Sequence, residues 1–199
     1  MVGDSMTAIS RRLRRRASGL ALGLAACGGR AAGHGTEAAV PVRVVPLAQA
    51  IVLETAGPPP HDTVVEFVTG QRRVIVLRHG PPENIVFAEV DFPATAFADS
   101  GRPVRAEVRP RPGVYGLDLS TSLALKSEAS VSFNYARYFT APARARELFG
   151  ADAVFERALA VGQVRSDSQL ALLPSTRPAS DVLRADITTT GRFLAAAAR

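Results

Sequence analysis

The chain has 199 residues, 47% of them apolar, with 24 basic and 18 acidic side chains, a net charge of +6 and a pI near 10.6. That length supports one domain with a sizeable core, or one domain and a small appendage. The single cysteine excludes an internal disulfide framework and any zinc site built on a cysteine cluster.

The first element in chain order is a leader. Arg11, Arg12, Arg14, Arg15 and Arg16 precede a ten-residue run of Ala, Leu, Gly and Ser from Ala17 to Ala26, and the lone Cys27 closes Leu24-Ala25-Ala26-Cys27. Arginines resist transfer across a bilayer and so set orientation. The apolar run is far short of the roughly 20 residues a spanning helix needs. This layout resembles a bacterial lipoprotein signal peptide. The resemblance implies that Leu24, Ala25 and Ala26 are read by the lipoprotein peptidase and that Cys27 is acylated, with palmitate-type chains, as the first mature residue. One acyl chain binds membranes only marginally, whereas the several chains of such lipoproteins anchor stably. An unpaired thiol in an oxidising compartment is a liability unless it is modified. Gly28 stands where some bacteria place an Asp that retains lipoproteins at the inner membrane, which points to the outer membrane. An ordinary cleaved signal with Cys27 a bystander thiol is the other reading of these residues, and a cytoplasmic protein a third. Ser10-Arg11-Arg12 touches the twin-arginine pattern, but Arg14 occupies a position that prefers an aromatic. Met1 and Met6 are both compatible starts.

Basicity by itself would suggest nucleic acid. Residues 1–26, however, hold five arginines and Asp4, and without them the +6 falls to +2, with no basic stripe. Nucleic acid is therefore not expected as a partner. Residues 27–39, rich in Gly and Ala, read as a flexible tether.

Residues 40–199 read as one domain. Strand signals recur at Val40–Val45, Thr63–Val68, Val74–Leu77, Ile85–Phe92, Val104–Val108, Val131–Tyr135, Leu170–Leu173 and Val182–Ile187, bounded by Gly, Pro, Asp and Ser. Ile85, Phe87 and, after a shift, Val90 and Phe92 form an apolar face around Glu89 and Asp91; Val131, Phe133 and Tyr135 alternate with Ser132 and Asn134. One short helix is expected, capped by Thr140, with Pro142 in its first turn, a body from Ala143 to Phe149 and a stop at Gly150. Ala153–Val164 is ambiguous: Phe155, Ala158 and Leu159 fit a helix, but Leu159–Val164 with Leu170–Leu173 reads better as a hairpin. The fold class is mainly β: an immunoglobulin-like antiparallel sandwich with one short helix, preceded by a helical signal peptide and a tether.

Four segments carry a second resemblance: Phe87–Phe97 with its Pro-Ala-Thr-Ala, Pro103–Pro110, Val114–Leu119, and Ala129–Tyr135. Together they resemble the β-sandwich domain of zonula-occludens scaffolds and netrin receptors. The resemblance implies closing strands within Leu170–Ser175, Val182–Ile187 and Arg192–Ala197. The chain departs from that family in lacking its Gly-Gly opening and in the insert Thr140–Gly150.

Chemistry-bearing clusters are sparse. His34 lies in the tether, His61 follows three prolines, and a zinc site from these with Asp62 or Glu66 lacks a rigid frame. His79 has no hydrolase motif around it, and no nucleophile elbow occurs. Glu89 and Asp91 read as carboxylates that keep a sheet face soluble rather than an acid and base pair. Arg105, Arg109 and Arg111 offer a site for an anionic glycan or headgroup, against the plainer reading of an edge blunted by charge and proline. Tyr135, Arg137, Tyr138 and Phe139 have the composition of a binding patch, and equally of a core with its rim. The expected function is a lipid-anchored envelope protein with a binding or structural domain, not an enzyme, without metal or cofactor. Its partners are the membrane through Cys27 and another envelope protein or polysaccharide. The alternatives are an envelope hydrolase, which needs a deep polar pocket, and a small-ligand carrier, which needs an apolar cavity between the sheets.

Overall fold

Alternating β-branched residues divided by Gly and Pro become a series of short strands. A computed structural model describes residues 42–166 and 168–199. The leader with Leu24, Ala25, Ala26 and Cys27, and the tether with His34, lie outside the described residues. The domain begins with β1 (Arg43–Pro46), a 3-10 turn (Leu47–Gln49), β2 (Ile51–Val52) and β3 (Glu54–Thr55). There follow β4 (Thr63–Val68), β5 (Arg73–Arg78), β6 (Val86–Phe92), β7 (Pro103–Pro110), β8 (Gly116–Thr121), β9 (Ala129–Asn134) and β10 (Phe139–Thr140). Helices α1 (Ala143–Phe149) and α2 (Asp152–Ala158) precede β11 (Ala160–Ser166), β12 (Gln169–Leu172), β13 (Ser175–Ala179), β14 (Val182–Ile187) and β15 (Gly191–Ala197).

The strands form two antiparallel sheets. The larger runs β1-β12-β11-β15-β8-β7-β4 with β2 also on β15, the smaller runs β13-β14-β9-β6-β5, and β10 pairs β3 in a separate ribbon. Between the sheets lies one core. Phe87, Phe92, Phe133 and Leu183 come from the smaller sheet, and Val108, Leu117, Val161 and Phe193 from the larger. Side chains fill this interior as in any close-packed protein core.

The shift noted within Ile85–Phe92 is a β-bulge. Leu77 opposes Ala88 but Arg78 opposes Val86, so Phe87 is the extra residue and both Phe87 and Ala88 are buried. An unpaired extra residue rotates the strand by half a pleat, which keeps Phe87, Val90 and Phe92 all inward.

β15 is apolar on both faces for a different reason. Phe193, Ala195 and Ala197 enter the main core, while Leu194 and Ala196 join a second cluster with Val45, Leu170 and Leu172. The segment from Leu47 to Val52 folds over that second cluster, so the sheet is covered on both sides at this end. Where the two coverings meet, three backbones close a triangle. Leu53 N–H donates to Ala195 C=O (2.8 Å), Ala195 N–H to Tyr115 C=O (2.8 Å), and Tyr115 N–H to Leu53 C=O (2.9 Å).

Two expectations need correction. Thr140 does not cap the helix; it belongs to β10, and the N-cap is Pro142 without a side-chain hydrogen bond. The stop at Gly150 is as expected, with a left-handed φ of 76° that glycine tolerates without strain. The hairpin forms as β11 with β12, but a second helix, α2, takes the residues before it. Phe155 decides this: at the centre of α2 it is fully buried against Phe149 and Phe139, at 5.5 and 6.3 Å. Seven residues make a helix too short to stand without such packing.

Arg177 on β13 completes α2. Its Nη2 donates to the carbonyls of Glu156 (2.7 Å) and Leu159 (2.9 Å) at the helix end, where the Glu156 carbonyl also accepts from Leu159 N–H (3.2 Å). Arg177→Ala is expected to cost about 1–2 kcal/mol, read as a lowered urea midpoint at unchanged m-value.

Candidate functional site

The aromatic patch read from the sequence is divided by the fold. Tyr135 is 1% exposed, inside the core, and its hydroxyl donates to the Ser180 carbonyl at 3.3 Å. Burial pushes its phenol up, with the nearby Arg177 guanidinium acting the other way. Phe139 is half-buried between Tyr135 and Phe155. Tyr138, also half-buried, packs edge-on against His79 at 4.8 Å. Arg137 alone projects outward, 3.6 Å from Glu83. The three rings therefore contact the interior, and the sequence alternation could not distinguish this from a surface patch.

His79 is 1% exposed among Phe87, Tyr115 and Tyr138. Its Nδ1–H donates to the Pro58 carbonyl at 2.8 Å, which leaves Nε2 as a buried acceptor without a partner among the described residues. The Tyr115 hydroxyl is likewise unpartnered: it lies near Thr55 and the Tyr138 backbone, and neither contact reaches hydrogen-bond geometry. Burial pushes Tyr115 up to about 12, so this phenol stays neutral in ordinary buffers. Gly57 closes the loop over the pair, since a Cβ there would lie 2.5 Å from the Tyr138 ring and 2.8 Å from His79. The pair is sealed rather than open to substrate.

His61 is exposed, Asp62 lies 3.9 Å from Arg109, and Glu66 lies 3.8 Å from Arg105. Asp91 is held by both Nε and Nη2 of Arg72, at 3.0 and 2.8 Å. Glu89 lines a shallow recess of about 100 Å³ with Ser132 and Asn134 on the outer face of the smaller sheet.

The outer face of the larger sheet carries a more substantial feature, an open groove of about 520 Å³ across β7, β8, β15 and β11. Register builds it. Asp118 stands opposite Arg109 on one side and Arg192 on the other, and the next row places Glu107 opposite Ser120. Asp118 accepts from Arg192 Nε at 3.0 Å and from Arg111 Nη1 at 2.9 Å. Arg109 is held by Glu107 through Nε at 2.8 Å and Nη2 at 2.6 Å, and this pairing pushes its guanidinium further up. Arg165 and Ser166 on β11 close the far side.

Small residues make the floor. Gly191 has φ +143°, a backbone setting that L side chains rarely adopt, and Ser120 beside it is exposed. The turn into Gly191 is fixed from beneath: the Gln163 amide, 5% exposed, donates to Thr189 Oγ1 at 2.9 Å and to the Thr189 and Thr190 carbonyls at 3.3 and 3.4 Å. Of the arginine run noted in the sequence, Arg109 and Arg111 belong to this groove, whereas Arg105 faces Glu66 on the neighbouring strand. Asp118, Arg165, Gly191 and Arg192 had no local signal, because they meet only through strand pairing. Comparison with protein families, characterised proteins and solved structures finds no match to this chain.

Proposed function

We propose that this chain is a lipid-anchored protein of a bacterial cell envelope, held at the outer membrane through Cys27, with a β-sandwich that binds a partner and carries out no catalysis. The observation that carries this reading is the box Leu24-Ala25-Ala26-Cys27, with the only cysteine of the chain directly after an arginine-rich and apolar leader. The four segments that resemble the zonula-occludens and netrin-receptor sandwich lie on β6, β7, β8 and β9, and their use in scaffold and receptor proteins supports a binding role. The groove supports it as well: the carboxylates of Glu107 and Asp118 are each engaged by arginine, a poor setting for an acid or base that must exchange protons.

Mass spectrometry of the membrane fraction tests the anchor. Wild-type chain is expected to begin at Cys27 with the added mass of its acyl chains, and Cys27→Ser to lose both the modification and membrane association. A wild-type product that is soluble and unmodified at Cys27 would refute the reading.

A further inference from the structure

We propose that the groove across β7, β8, β15 and β11 binds a segment of an anionic oligosaccharide, whose carboxylate or phosphate is received by Arg192 and Arg109 above the floor of Gly191 and Ser120. This rests on the reading of the domain as a binding module.

The charge pattern selects an anion with hydroxyl groups. Four guanidiniums (Arg109, Arg111, Arg165 and Arg192) line or flank the groove against the carboxylates of Glu107 and Asp118, with Asp62 behind Arg109. A guanidinium presents five N–H donors in a plane, suited to a carboxylate or phosphate. Asp118 engages Arg192 only through Nε and Arg111 only through Nη1, so it orients both planes while leaving further donors on each. Asp118 is thus a positioning residue. The carboxylates and the hydroxyls of Ser120 and Ser166 offer acceptors, which a simple oxyanion cannot use but the hydroxyls of a sugar can.

Size and shape point the same way. A volume of about 520 Å³ falls in the range of sites for small organic ligands, roughly 300–1,000 Å³, and far exceeds what one inorganic ion occupies. Among the described residues the lining holds no aromatic side chain, which disfavours an apolar or stacked ligand. An anionic bilayer is a poorer fit, because carboxylates stand beside the arginines.

The test uses the full chain in detergent, titrated calorimetrically with a galacturonate oligosaccharide, with a neutral glucose oligosaccharide of equal length and with inorganic phosphate. Vesicles containing phosphatidylglycerol are assayed separately by sedimentation. The galacturonate oligomer is expected to bind, to weaken with added salt, and to bind more tightly than either the neutral oligomer or phosphate. Ser120→Glu places a carboxylate on the exposed floor without touching the core, and Arg192→Ala removes one arm; each is expected to weaken binding by about tenfold or more. Arg105→Ala, which removes a charge outside the groove, is expected to leave binding within about twofold. Thermal unfolding of each variant establishes that it is folded. Equal binding of the neutral oligomer, equal binding of phosphate alone, insensitivity to Ser120→Glu and Arg192→Ala, or capture by vesicles alone would each overturn the proposal. Failure of the anchor appears in the mass of Cys27 and leaves these titrations unchanged, so the two readings fail separately.

Discussion

Phe87→Ala is expected to destabilise the domain by about 3 kcal/mol, a large share of the roughly 5–15 kcal/mol by which domains of this size are stable. Phe87 is 1% exposed and is the point where the aromatic core converges. Its ring stacks on Tyr115 at 5.3 Å with an interplanar angle of 12°, and meets His79 edge-on at 5.2 Å and Phe133 at 6.1 Å. The bulge that turns Phe87 inward fixes its backbone, so the strand cannot slide to refill the space. Truncation of a buried Phe ordinarily costs about 3–5 kcal/mol, and the low end applies here. The vacated space would be bordered by His79 Nε2 and the Tyr115 hydroxyl, both unpartnered, and a water bonded to them would recover part of the loss. Urea unfolding followed by circular dichroism measures this. Val76→Ala, on the exposed side of the adjoining strand, is the control and is expected to change stability by less than about 0.5 kcal/mol. A loss at Phe87 no greater than that of the control would show that this core is not the support of the fold.

The second large effect is expected at Leu53, where Leu53→Ala should cost about 3 kcal/mol and Leu53→Met less than about 1.5 kcal/mol. Leu53 is fully buried and lies between two strands of only two residues each, β2 and β3. Such short strands contribute little pairing of their own. The triangle of backbone hydrogen bonds with Ala195 and Tyr115 holds the segment, and the Leu53 side chain keeps that triangle dry. Methionine preserves the apolar volume and alanine does not. Urea midpoints of the two variants should therefore separate clearly, whereas equal midpoints would mean that side-chain burial at Leu53 does not stabilise the junction.

Much of the fold was legible because strands advertise themselves through a period of two. Thr63–Val68 and Val182–Ile187 read directly as β4 and β14, and the break in alternation before Val90 marked the bulge. β2 and β3 were not legible, since two residues carry no periodicity. β13 was hidden by Pro178 and by the charge of Arg177, residues tolerated there because it is an edge strand. α2 stayed ambiguous because its helical state depends on the burial of Phe155 beneath Phe149, not on its own propensity.

The groove shows the same division. Arg109 and Arg111 were visible as part of a basic run, and that run alone suggested no more than a charged edge. Its meaning changed with Asp118 standing between Arg109 and Arg192, since Asp118 and Arg192 are 74 residues apart in the chain.

The mainly β class, the strand punctuation by Gly and Pro and the helix stop at Gly150 were determined by the sequence itself, because each depends on residues a few positions apart. The tertiary structure alone decided which strands share a sheet, why β15 is buried on both faces, and which arginines surround Asp118. Strand register is set by contacts between distant segments, and a shift of one residue would turn every side chain of a strand to the opposite face.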